Sequence, residues 1–64
     1  MKAIIKETKN DTIEETVIED VYIVEHGYLY GIHGSNYEYL ELWKNSVRPY
    51  IRVKLDGKTE IMFK

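Results

Sequence analysis

Hydrophobic and polar residues alternate near the carboxyl end of the chain with the two-residue period of a β-strand. Over 50–55, apolar side chains would lie on one face and basic ones on the other: Ile51, Val53 and Leu55 against Arg52 and Lys54. The Asp-Gly pair at 56–57 then turns the chain into a last strand, 59–63. A three-residue loop keeps the apolar residues of both strands on one face, so the pattern predicts a hairpin with Ile61 and Phe63 in its core.

The amino-terminal segment predicts another hairpin. Residues 2–8 form a candidate strand, and the Asn-Asp pair at 10–11 favours a tight turn because both residue types tolerate positive φ. A two-residue loop there places Lys6 opposite Glu15, and this opposite-charge pair supports the register.

Residues 12–25 allow two interpretations. Thr12 begins a capping-box pattern, and apolar residues recur at roughly helical spacing, which would give an α+β fold with one helix. However, eight of these fourteen residues are β-branched, and such side chains lose rotamer freedom in a helix. We therefore predict two strands, 12–18 and 21–25, with a kink at Glu19-Asp20.

The central segment, YLYGIHGSNYEYLELW at 28–43, contains four tyrosines and a tryptophan. Two tight hairpins are predicted around it, with loops at His26-Gly27 and Ser35-Asn36. In this register one face of the sheet carries the aromatic side chains Tyr28, Tyr30, Tyr37, Tyr39 and Trp43. The opposite face carries Leu29, Leu40 and Leu42, which are predicted to be in the core.

These elements predict an all-β fold in a single domain, 1–64. After a polar loop at 44–48, Pro49 fits the start of a strand, where its missing N–H is not needed. The expected form is a small antiparallel meander that curls into a five- to six-stranded SH3-like or Sm-like barrel, or into a curved sheet. The interior of so small a barrel is filled by its own side chains, so we expect no small-molecule substrate.

Composition argues against several functional classes. The absence of cysteine removes disulfides, thiolate metal sites and cysteine nucleophiles. No spacing marks a nucleophile with its base, the glycines do not form a phosphate loop, and His26 and His33 fall on opposite strand parities. We expect no enzyme, no cofactor and no metal. With no signal-peptide pattern and no apolar run of membrane-spanning length, the expected location is cytoplasmic, without a membrane partner.

Charge raises a second functional hypothesis. The net charge is −2, but residues 1–32 carry three lysines against seven carboxylates, whereas 33–64 carry six basic residues against four carboxylates. The basic residues near the tyrosines could form a single-stranded nucleic-acid-binding surface on the small β-barrel: Arg48, Arg52, Lys54 and Lys58. The acidic pI of about 5.6 counts against this, because phosphate contacts supply most non-specific affinity.

The aromatic face supports the favoured hypothesis, a small protein-binding module. Tyrosine and tryptophan are the preferred anchors of interfaces, so the face would contact another protein or a second copy of the chain. A purely structural alternative is that the tyrosines are half-buried under the 44–50 loop or the amino-terminal hairpin, with their hydroxyls in water. By analogy with small phage proteins that disable a host enzyme or defence system, the expected role is that of an inhibitor or adaptor.

Overall fold

The computed structural model describes all 64 residues and contains six β-strands and no α-helix. The strands are β1 (Ala3–Lys9), β2 (Thr12–Ile18), β3 (Ile23–Leu29), β4 (Tyr37–Trp43), β5 (Ile51–Leu55) and β6 (Thr59–Phe63). They form two three-stranded antiparallel sheets: sheet A, in the order β2-β1-β6, and sheet B, in the order β3-β4-β5. The all-β prediction is confirmed, and the alternative helix over 12–25 is excluded.

The two sheets share a core but do not close into a barrel. β5 and β6 are consecutive strands, yet they belong to different sheets and no strand pairing joins them. The curved-sheet form of the prediction is therefore the one observed, rather than a closed SH3-like or Sm-like barrel. No helix in the protein is long and apolar enough to cross a membrane.

The amino-terminal hairpin has the predicted register. Lys6 lies opposite Glu15, and the turn residues Asn10 and Asp11 have φ values of 49° and 64°. These angles match a turn whose twist agrees with that of the flanking strands. Beyond β2, the kink predicted at residues 19–20 is present, with Asp20 at φ 56°, and there the chain passes from sheet A to sheet B.

The predicted hairpin loop at His26-Gly27 is wrong. β3 continues straight through both residues, and Gly27 pairs with Tyr39 inside the ladder between β3 and β4. The chain reverses only at 30–36, through a short 3-10 turn at Ile32–Gly34. Leu29 consequently lies opposite Tyr37 rather than Leu42, so its predicted place in the core is also wrong.

The predicted closing hairpin is wrong in its pairing, although the loop does span three residues, 56–58. β6 pairs with β1 instead of β5, so that Ile61 lies opposite Ile5. Val53 is buried, but Ile51 and Phe63 remain 36% and 39% exposed. β1 offers β6 an alternating apolar partner as good as β5 does, and the loop carries the chain between the sheets.

The core is small for the size of the chain. Its six buried residues are Ala3, Ile5, Ile18, Val21, Leu42 and Val53. The accessible surface is 4961 Å², against about 4,300 Å² expected for a compact monomer of 7.6 kDa. Several large apolar side chains are almost fully exposed, among them Tyr30, Ile32 and Val47, each at 80% or more.

Candidate aromatic interaction face

The outer face of sheet B, turned away from the core, carries an aromatic row. On β4 the row consists of Tyr37, Tyr39 and Trp43. They are separated by two and four residues, so their side chains point to the same side of the strand. Arg52 and Lys54 lie on the same face, on the neighbouring strand β5, because Lys54 pairs with Tyr39. We call these five residues the aromatic face.

Tyr39 is at the centre of the aromatic face. Its ring lies over Gly27 on β3, where a Cβ atom would overlap the ring. On the β5 side, the guanidinium carbon of Arg52 is 4.1 Å from the ring centroid. Nη2 of Arg52 also donates a 3.2 Å hydrogen bond to Oε2 of Glu41, and this bond raises the pKa of Arg52 above its usual value. Residues of both neighbouring strands thus contact the ring.

Tyr37 extends this arrangement toward the end of β4. Its ring meets that of Tyr39 edge-on, with 6.2 Å between centroids, and Nζ of Lys54 lies 4.9 Å from its centroid. Edge-to-face rings and a cation near a ring face are both favourable electrostatic contacts. Lys54 forms no salt bridge within the chain, so its charge is available to a ligand.

Trp43 ends the aromatic row and is half-buried opposite Ile23. Its indole Nε1 is buried and has no hydrogen-bond acceptor. A buried donor without an acceptor is destabilising, by about 1–3 kcal/mol. Trp43 therefore contributes apolar surface to the aromatic face, and its polar atom is not presented to a ligand.

Tyr28 and Tyr30 do not lie on the aromatic face, contrary to the prediction. Tyr28 pairs with Glu38, which places it on the opposite side of sheet B. Tyr30 follows β3 in the loop and is 82% exposed, and the two rings are 4.7 Å apart. Running β3 through Gly27 changes which residues share a face, and this register difference separates the two tyrosines from the other three aromatics.

The four basic residues of the nucleic-acid hypothesis are not gathered into one patch. Arg52 and Lys54 belong to the aromatic face. Arg48 lies in the 44–50 loop, where its backbone N–H donates to the side chain of Asn45. Lys58 lies in the turn between the sheets, and its carbonyl accepts a hydrogen bond from the backbone N–H of Thr8.

Sequence reasoning did not identify two residues that shape the aromatic face, Gly27 and Glu41. The signal for Glu41 was its cross-strand position opposite Arg52, which becomes visible only in the correct register.

Elsewhere, Nε2 of His26 lies 2.7 Å from Oε2 of Glu38, and no group of three histidine or acidic side chains is arranged to hold a metal ion.

Comparisons with protein-family models, with curated proteins and with solved structures give no match to this chain.

Proposed function

We propose that this protein is a non-enzymatic protein-binding module that contacts its partner through the aromatic face. The observation that carries this proposal is the packing of the Tyr39 ring between Gly27 and Arg52. A side chain already held in its binding geometry loses little conformational entropy when a partner arrives, and this favours affinity.

The chemistry of the face resembles that of protein interfaces in two respects. Tyrosine, tryptophan and arginine are the residue types that most often carry binding energy. The charge of Arg52 is partly neutralised by Glu41, whose side chain is only 15% exposed. Arg52 can therefore lose its water without becoming an unpaired cation, whereas Lys54 would require an acidic group of the partner.

Single-stranded nucleic acid is the second candidate, favoured by the two cations beside tyrosine rings. Two features weigh against it. A base would have to compete with Arg52 for the ring of Tyr39. The other basic residues, Arg48 and Lys58, lie away from the face, and this limits the number of phosphate contacts that drive binding.

A module of this size acts by covering part of its partner's surface. An inhibitor blocks a functional site in this way, whereas an adaptor joins two proteins. Small phage proteins directed against host enzymes or defence systems provide the analogy for the inhibitor role. A homodimer formed through the same face is an additional form of the proposal.

The test compares protein capture by matched variants. Immobilised parent protein is incubated with an extract of the source cells, in parallel with Tyr39→Ser, Lys54→Glu and the control Ile13→Ser. Ile13 is 69% exposed on β2, in the other sheet. We expect mass spectrometry to identify a protein bound by the parent and the control but lost from both face variants. Equal capture by all four would contradict the proposal, and capture of nucleic acid alone would favour the second candidate.

A further inference from the structure

A cleft of about 300 Å³ lies along the free edge of β5. Four consecutive residues of that strand, Ile51–Lys54, line one side, and sheet A provides the other through residues such as Ile5 and Thr16. Because successive side chains of a strand point to opposite faces, a cavity that contacts four in a row must lie against the backbone edge. The cleft is the gap left where β5 and β6 separate into different sheets.

The backbone of β5 is unpaired along this cleft. β5 is the last strand of sheet B, with β4 on one side and no strand on the other. An exposed edge of this kind presents free N–H and C=O groups that can pair with an added strand. Here the cleft also provides a wall for the added strand to pack on, which an ordinary sheet edge does not offer.

The lining defines what the added strand should contain. Its apolar end carries Ile5, Ile51 and Val53, and near the 56–58 turn the lining becomes acidic, with Glu7 and Asp56. A strand antiparallel to β5 would therefore enter with a basic side chain at position 1, facing the two carboxylates. Apolar side chains would follow at positions 3 and 5, opposite Val53 and Ile51.

The opposite side of the added strand would face the cations of β5. Its position 2 would lie beside Lys54, which has no ion-pair partner in the chain, so an acidic residue fits there. A second copy of β5 is a poor occupant. Antiparallel self-pairing about Val53 would place Arg52 opposite Lys54 of the copy, and like charges directly opposite each other are destabilising.

We propose that the cleft is a second binding site, which accepts an extended segment of another protein as an added β-strand beside β5. The segment has the pattern basic-acidic-apolar-polar-apolar, read from its amino end. This site adjoins the aromatic face at Arg52 and Lys54, but its apolar lining of Ile5, Ile51 and Val53 lies on the core side of sheet B. Its occupation would extend sheet B to four strands.

The first test uses a defined peptide and the intact protein. A blocked, fluorescein-labelled peptide carries Lys-Glu-Ile-Thr-Val between Gly-Ser flanks. The control peptide carries the same residues as Ile-Val-Lys-Glu-Thr, in which the adjacent apolar residues point to opposite faces in every register. Fluorescence anisotropy should show at least tenfold weaker binding of the control peptide. On the protein side, Ile51→Lys should weaken binding of the first peptide at least tenfold, whereas Ile13→Lys should not change it.

Hydrogen exchange then identifies the bound edge. With the first peptide present, alternate backbone amides within 51–55 should gain at least tenfold protection, while those of the free β2 edge should not change. Equal binding of the two peptides, or no new protection in β5, would overturn the proposal. Concentration-dependent protection of β5 in the protein alone, together with an oligomer in sedimentation, would also overturn it, because a second copy would then be the occupant.

Discussion

The ring of Tyr39 lies on the backbone of Gly27, its cross-strand neighbour, at a position where any larger residue would displace it. This relationship explains a glycine in the middle of a strand, where glycine is normally unfavourable. It also places the tyrosine ring within reach of Arg52, and so it sets the geometry of the whole aromatic face.

Gly27→Ala should therefore move the ring of Tyr39. The added methyl group overlaps the outer atoms of the ring, which can rotate away, so we expect a loss of about 1 kcal/mol in the free energy of unfolding. Denaturant titration measures this loss, and the ring-current shifts of Arg52 side-chain protons should weaken.

The control for this prediction is the double variant. In a Tyr39→Ala background there is no ring to displace, and alanine is preferred over glycine in a strand, so Gly27→Ala should be neutral or slightly stabilising. If the two substitutions are simply additive, the packing of Tyr39 on Gly27 is not what constrains this position.

The part of the fold that could be predicted is the part specified by neighbouring residues. The β1–β2 hairpin follows from its Asn-Asp turn and the pairing of Lys6 with Glu15, because each observation alone gives the same register. The β3–β4 register could not be obtained in this way. A glycine that forms a turn and a glycine that makes room for a ring look alike in sequence. The pattern at His26-Gly27 predicts a turn, whereas Gly27 lies within a strand and packs against the ring of Tyr39.

The partner of β6 shows a different limit. Glu60 can pair with Lys54 on one side or with Lys6 on the other, and Ile61 finds an apolar partner in either case. Local pairing rules favour β1 and β5 equally as the partner of β6, and the packing of the two sheets determines which strand it pairs with. The cleft beside β5 could not be predicted for the same reason, because a hairpin between β5 and β6 would have filled it.

The loss of stability caused by a core substitution should depend on the burial observed in the structure rather than on the burial predicted from the sequence. Leu42 is fully buried on β4, so Leu42→Ala should lower the free energy of unfolding by about 2–4 kcal/mol. Phe63 is 39% exposed, and Phe63→Ala should cost less than Leu42→Ala, although phenylalanine is the larger residue. Urea titration of the two variants provides the comparison, and the reverse order would indicate that Phe63 contributes more to the core than its 39% exposure implies.

Asp56, in the turn between the sheets, should make the free energy of unfolding depend on pH. The Asp56 carboxylate accepts a 3.0 Å hydrogen bond from the backbone N–H of Lys58 and a 3.3 Å bond from Oγ1 of Thr59, and these bonds hold its pKa below the usual value. The folded-state pKa is thus lower than the unfolded-state pKa, about 3.9. The stabilisation that the ionised Asp56 carboxylate gives the folded state is fully present above the unfolded-state pKa. It is lost as the pH falls through the folded-state pKa.

Asp56→Asn should accordingly be less stable than the parent at pH 6, with the difference shrinking below about pH 4. Thermal unfolding from pH 2 to pH 7 measures the effect. As a matched variant, Thr59→Val removes only the hydroxyl donor and should raise the Asp56 pKa toward its usual value, as observed by NMR titration of the carboxyl carbon. A stability difference that stays constant with pH would contradict the assignment.

Trp43 should tolerate replacement by phenylalanine far better than by alanine. Its indole N–H is buried without an acceptor, so Trp43→Phe removes an unsatisfied donor, a gain of about 1–3 kcal/mol that offsets much of the lost ring volume. We expect Trp43→Phe to unfold within about 1 kcal/mol of the parent. Trp43→Ala removes the whole apolar surface opposite Ile23 and should lower the free energy of unfolding by about 3 kcal/mol or more.

Denaturant titration of both variants, followed by circular dichroism because the tryptophan signal is lost, gives the comparison. If Trp43→Phe is as damaging as Trp43→Ala, then the indole N–H makes a hydrogen bond that matters for stability, and the role of Trp43 as purely apolar surface is wrong.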